Sequence, residues 1–176
     1  GDNVSCALGN NGIATVTPLG GTAPYIYLWN GGGTGSIKTG LSAGVHTVTV
    51  TDANACIATG SVTISEPSAM VLNVSGTNIS CAGSLDGIAN VTVSGGTSPY
   101  TYNWSNGSNT SNISGLSSGI YTVTVSDGNG CTQVSNAVTI TAPSALVLNA
   151  SGTNISCAGS LDGIANVTVI GGTSPY

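Results

Sequence analysis

Residues 115–131 read GLSSGIYTVTVSDGNGC, and residues 40–56 read GLSAGVHTVTVTDANAC. Tyr121, Val123 and Val125 fall on one parity and Thr122 and Thr124 on the other. Side chains along a strand alternate between faces, so this pattern describes a β-strand with one apolar face. The stretch before it is rich in glycine, which frees φ. The stretch after it carries Asp and Asn, which bond the local backbone in turns. The segment is a strand held between two turns.

The same grammar extends outward. Residues 88–93 place Ala89, Val91 and Val93 on one face, and Gly95-Gly96-Thr97-Ser98-Pro99 breaks that strand. Tyr100, Tyr102 and Trp104 then share a face at period two, and Asn106-Gly107 marks a further turn. Another alternating stretch spans 134–140, and Pro143 closes it. About seven short strands with no helical period predict an all-β, immunoglobulin-like antiparallel sandwich. Tyr121, preceded by Leu116 and Gly119, suits a tyrosine corner, although residues 40–56 carry His46 there.

This unit recurs. Residues 76–100 (GTNISCAGSLDGIANVTVSGGTSPY) return at 152–176 with Ser94 replaced by Ile170, and residues 1–25 are a diverged copy. The domains expected are β-sandwich repeats at 1–75 and 76–151 and the opening of a third at 152–176. Pro67 and Pro143 lead directly into the next strand, so the modules should form a semi-rigid, elongated array. The first copy has Pro18 where the second has Val93, which predicts an edge or bulge. The second copy has one more residue between its second cysteine and closing proline, which predicts a bulge. No basic-then-apolar leader stands at Gly1, so the sequence reads as a processed or interior stretch.

A sandwich of this size buries only about 60% of its unfolded surface and has a marginal core. Lys38 is the only Lys or Arg against six acids, and the net charge is −5. Phosphate recognition needs clustered cations, so nucleic acid is excluded. With 40% apolar residues in alternation the chain is not a disordered one. No apolar run approaches the roughly 20 residues of a membrane span.

Cys6 and Cys56 are 50 residues apart, as are Cys81 and Cys131. Constant spacing reads as one disulfide inside each module, Cys6–Cys56 and Cys81–Cys131, with the partner of Cys157 beyond Tyr176. Free buried thiols are the alternative. A metal site is not supported, since no C-x-x-C occurs and His46 is the single histidine. Disulfides persist in oxidising compartments, so an extracellular location is expected.

The order Cys-Ala-Gly, Asp-Gly, Gly-Gly-Thr-Ser-Pro-Tyr-Thr-Tyr-Asn-Trp, Gly-Leu-Ser-Ser-Gly-Ile-Tyr-Thr-Val-Thr-Val-Ser-Asp-Gly-Asn-Gly-Cys, then Ile-Thr-Ala-Pro resembles the SprB repeat family. The first copy departs from it at Leu8, Asn11, His46 and Ala55. The resemblance implies repeats of very large surface adhesins of gliding bacteria, exported by the type IX route. It implies a stalk or filament at the bacterial cell surface and carries over no ligand-binding residue.

Three groups of residues are candidate sites. Tyr25, Tyr27 and Trp29, with Tyr100, Tyr102 and Trp104, could stack on sugar rings and bind surface polysaccharide. The favoured reading makes them core, since a chain without Phe needs something bulky at its centre. Asp52 with Asn54 and Asp127 with Asn129 offer oxygens to calcium, but the spacing falls short of a calcium loop, so turns are favoured. Ile26, Leu28 and Ile170 replace polar residues of the second copy and are candidates for contact with neighbouring repeats or with other copies in a filament. Asn-x-Ser/Thr sequons at Asn78, Asn90, Asn103, Asn106, Asn109 and Asn112 admit glycans.

No base–nucleophile pair recurs between the copies, so a catalytic role is not expected and no cofactor is implied. The function expected is a structural repeat segment of an extracellular fibre or adhesin. The alternative is a carbohydrate-binding module with outward Tyr/Trp strands.

Overall fold

The structure is a computed structural model that describes residues 1–176. It is all-β. The strands are β1 (Gly12–Thr15), β2 (Ile26–Trp29), β3 (Ile37–Leu41), β4 (Gly44–Thr51), β5 (Ile57–Ile64), β6 (Val71–Thr77), β7 (Gly87–Ser94) and β8 (Thr101–Trp104). They continue as β9 (Asn112–Leu116), β10 (Gly119–Tyr121), β11 (Val123–Ser126), β12 (Thr132–Val134), β13 (Val138–Ile140), β14 (Val147–Thr153) and β15 (Ile164–Ile170). The sheets are β1-β3, β2-β4-β5, β6-β7-β9, β12-β11-β8, β10-β13 and β14-β15. The pairings β1 with β3, β2 with β4, β4 with β5 over eight residues, β7 with β9, β10 with β13 and β14 with β15 are antiparallel. This is the all-β, antiparallel arrangement that the alternation predicts.

The core repeats as the sequence does. Val4, Ala14, Trp29, Leu41, Val48 and Ile64 are buried together, with Val16, Tyr27, Val50 and Val62 packed against them. In the second copy the corresponding positions Ile79, Ala89, Trp104, Leu116, Val123 and Ile140 are buried as well. Ile113, also buried, is matched in the first copy by Lys38, whose amine escapes by donating to the Asn30 carbonyl at 2.6 Å. Tyr121 donates from its hydroxyl to the Ser117 carbonyl at 3.0 Å, completing the tyrosine corner. His46 holds the equivalent position by pairing its Nε2 with the Ser42 carbonyl, also at 3.0 Å.

The copies diverge where expected. β1 stops at Thr15, three residues before Pro18, whereas β7 runs through to Ser94. β5 is continuous, whereas its counterpart is split into β12 and β13. At that break the Val123 amide donates to the Ser135 hydroxyl at 3.0 Å, and the extra residue is accommodated there.

The chain divides into two compact units. The first comprises Gly1–Leu72, Val93–Thr101 and Val125–Gln133, and the second comprises Asn73–Thr92, Tyr102–Thr124 and Val134–Tyr176. The first unit thus includes the Gly-Gly loop and the Asp-x-Asn-x-Cys turn of the second copy.

Within the first unit, the stretch after Pro67 is fastened to that loop. The Gly96 amide donates to the Ser68 carbonyl at 2.8 Å, and Gly95, at φ +72°, lies against the Ala69 carbonyl oxygen. In the second unit Gly172 bonds Ser144 in the same way, and Gly171 lies against Ala145. A methyl group at Gly95 would be strained by its φ and would run into backbone. Gly95→Ala should therefore cost more than about 2 kcal/mol. Gly107→Ala, at φ +86° in open space, meets the φ penalty alone. Urea unfolding of the two variants tests this, and equal losses would mean that the close approach at Ala69 is unimportant.

Candidate functional site

The most elaborated feature shared by the copies is the Asp-x-Asn-x-Cys turn. In the first, Asp52 Oδ1 accepts from the amides of Asn54 (2.9 Å) and Cys56 (2.8 Å), and Oδ2 accepts from the Thr22 amide (2.9 Å). The Ala53 amide donates to the Thr22 carbonyl, and Asn54 Nδ2 donates to Thr22 Oγ1. Asp127 repeats this with Asn129 and Cys131 at 2.9 Å each and Thr97 at 3.0 Å. The Gly128 amide and Asn129 Nδ2 close the turn onto Thr97. Each aspartate thus ties a turn to the threonine of the Gly-Gly-Thr loop. Both oxygens accept N–H groups, which is the chemistry of a turn-forming aspartate rather than of a calcium ligand.

These bonds set the charge state. The amides of Thr22, Cys56 and Asn54 hold the Asp52 carboxyl below the usual carboxylate range. Burial pushes Asp127 up, but the amides of Cys131, Thr97, Asn129 and Gly130 outweigh it and hold the group low. A carboxylate with a lowered folded pKa contributes stability that is fully present above its unfolded value of about 3.9. That contribution is lost as pH falls through the lower folded value. Urea midpoints should be level from pH 7 to about 5 and fall below pH 4. Asp127→Asn should flatten part of the acid limb, and an unchanged acid limb would contradict the role of this turn.

The second turn carries a covalent bond that the cysteine spacing did not predict. Cys6 is bonded to Cys131, 125 residues away, with a Cα–Cα distance of 5.7 Å. The expected pairs Cys6–Cys56 and Cys81–Cys131 do not form. Cys56, Cys81 and Cys157 are free and exposed. The reason lies in β5. Cys56 immediately precedes that strand, while Cys6 belongs to a loop tied to its far end by Val4 N to Ser65 O and Leu8 N to Glu66 Oε2. Eight residues of strand span about 25 Å, against the 4.4–6.8 Å that a disulfide allows between Cα atoms. The second copy carries the same loop, with Ile79 N bonded to Thr141 O just past β13.

The bonded turn sits in the first unit against the opening loop. Asn129 Nδ2 donates to the Ser5 carbonyl at 2.9 Å beside the disulfide. A groove of about 290 Å³ there is lined by Ala7, Pro67, Ala69, Met70, Gly96 and Asp127, among others. Two residues of the first copy take left-handed backbone without being glycine. Leu8 (φ 59°) and Ala55 (φ 62°) stand where the second copy has Gly83 and Gly130.

Within the aromatic stripe the two tryptophans are core and the four tyrosines lie at its margin. Trp29 and Trp104 are 3% and 2% exposed, and their indole N–H groups donate to the carbonyls of Gly35 and Thr110 at 2.8 Å. Tyr27 and Tyr102 are half-buried. Tyr25 and Tyr100, also half-buried, bond through their hydroxyls to Gly20 and Gly95 and so brace the Gly-Gly loops. Ile26 and Leu28 are 67% and 59% exposed on β2, and Ile170 is exposed on β15.

Residues 2–34 and 73–109 match the family model described as the SprB repeat. No curated protein matches it. Among solved structures it is similar to an amphioxus IgVJ-C2 molecule, at 15% identity and a TM-score of 0.36, over 76% of this chain and 97% of that one. No helix is long and apolar enough to cross a membrane.

Proposed function

We propose that this chain is a structural segment of an extracellular fibre or cell-surface adhesin, in which consecutive repeats are fastened so that the segment carries load. The observation that carries this reading is the Cys6–Cys131 bond. It joins the opening loop of one copy to the turn of the next, and a chain pulled from its ends cannot extend through the residues between them. The hydrogen bonds from Gly96 to Ser68 and from Asn129 to Ser5 brace the same region. The SprB family setting, large adhesins of gliding bacteria exported by the type IX route, supports the assignment. No catalysis is proposed. The exposed Ile26 and Leu28 suit contact with further copies in a filament.

Single-molecule stretching from the two termini tests the proposal. Reduction should add the contour of the 125-residue separation of the cysteines, about 40–45 nm at 3.3–3.6 Å per residue. The oxidised chain should release only the segments outside the bond. Equal extension before and after reduction would remove the load-bearing reading.

A further inference from the structure

We propose that the groove beside Cys81 is a docking and cross-linking site for the Asp-x-Asn-x-Cys turn of a following repeat, so that the first cysteine of each copy bonds the second cysteine of the next. The second unit contains this groove, lined by Ser80, Cys81, Pro143, Ala145, Leu146 and Thr173, among others. Residue for residue these are the counterparts of Ser5, Cys6, Pro67, Ala69, Met70 and Thr97. At Cys6 the groove holds the 127–131 turn and measures about 290 Å³. At Cys81 no such turn is seated, and it measures about 460 Å³.

The receptor groups are in place. Gly172 already bonds Ser144 as Gly96 bonds Ser68. Thr97, whose amide, carbonyl and hydroxyl bind the turn, is half-buried, whereas Thr173 is exposed. Leu146 is 55% exposed, whereas Met70 is half-buried. An aspartate turn seated on Thr173 would cover this apolar surface and bring its cysteine to Cys81. The turns already in the chain are unsuitable donors. Asp52 and Asp127 are each committed to their own threonine, and Cys131 is bonded to Cys6.

The chemistry is thiol–disulfide exchange with a small-molecule disulfide of the glutathione type. The Cys81 thiolate attacks that disulfide, forming a mixed disulfide and releasing one thiolate. The incoming cysteine's thiolate then attacks Cys81 Sγ and expels the second. Two protein thiols lose two electrons and two protons, and the oxidant becomes two thiols. This inference rests on the turn and the groove and not on the load-bearing reading, because the bond forms whether or not the segment is pulled.

The test extends the full chain after Tyr176 with the sequence of residues 101–142, completing a third copy, in oxidised and reduced glutathione. Peptide mapping without reductant should find Cys81 bonded to the added cysteine, Cys6–Cys131 retained, and Cys56 and Cys157 alkylated as thiols. Cys81→Ser should abolish alkylation-resistance of the added cysteine and leave Cys6–Cys131 intact. A bond from Cys157 to the added cysteine, or a fully alkylated Cys81, overturns the proposal. The unextended chain supplies a second measurement. Its Cys81 should be alkylated completely under the same oxidising conditions, and a bond from Cys81 to Cys56 or Cys157 would equally overturn it.

Discussion

Truncating Trp104 to alanine should remove about 3–5 kcal/mol of stability, the range for large aromatic side chains in cores. The indole is nearly inaccessible, and two separate losses combine. Its rings leave a cavity in a small sandwich that has no Phe to close around it. Its N–H no longer donates to the Thr110 carbonyl, which loses a 2.8 Å bond. Trp104→Phe separates the two, because it restores most of the volume and none of the hydrogen bond. It should recover more than half of the loss. Urea unfolding followed by circular dichroism reads the difference. Trp104→Ala with near-wild-type stability and a loss of sugar binding would return the aromatic strands to the carbohydrate-binding reading.

The fold was legible because its signals are local. Strict alternation from Tyr121 to Val125 fixes which face is buried, and Val123 and Val125 are indeed fully buried. The copy relation also let each module check the other, as when His46 takes up the hydrogen bond of Tyr121. The disulfide was not legible from spacing, since an equal separation of cysteines is compatible both with pairing inside a copy and with pairing from one copy to the next. Only half of the signal lies in the sequence, and the structure supplies the rest. Cys56 stands directly before an alternating strand and Pro67 directly after it, which places Cys56 and the loop bonded to Glu66 at opposite ends. Strand length decides against Cys6–Cys56. The aspartate turns are legible as turns, but their attachment to Thr22 and Thr97 depends on contacts 30 residues apart, which no local pattern encodes.

Removing the disulfide should have the other large effect. The loop that it closes spans 125 residues, and restricting so long a loop in the unfolded chain contributes about 5 kcal/mol in the chain-entropy treatment. That loop runs through sequence belonging to both compact units, so the unfolded states of both are restricted. Cys6→Ser and Cys131→Ser should each lose this stabilisation, and the double variant should lose no more than either alone, because one bond serves both residues. Cys56→Ser and Cys81→Ser alter exposed free thiols and should stay within about 0.5 kcal/mol of the parent. The bonds from Asn129 to Ser5 and from Asp127 to Thr97 do not require the sulfur bridge, so the reduced turn should keep its local geometry while global stability falls. Urea unfolding with and without dithiothreitol distinguishes the cases. Reductant should lower the parent midpoint to that of Cys6→Ser and leave the Cys6→Ser midpoint unmoved. Additive losses in the double variant, or destabilisation by Cys56→Ser equal to that by Cys6→Ser, would mean that Cys6 and Cys131 are not bonded partners.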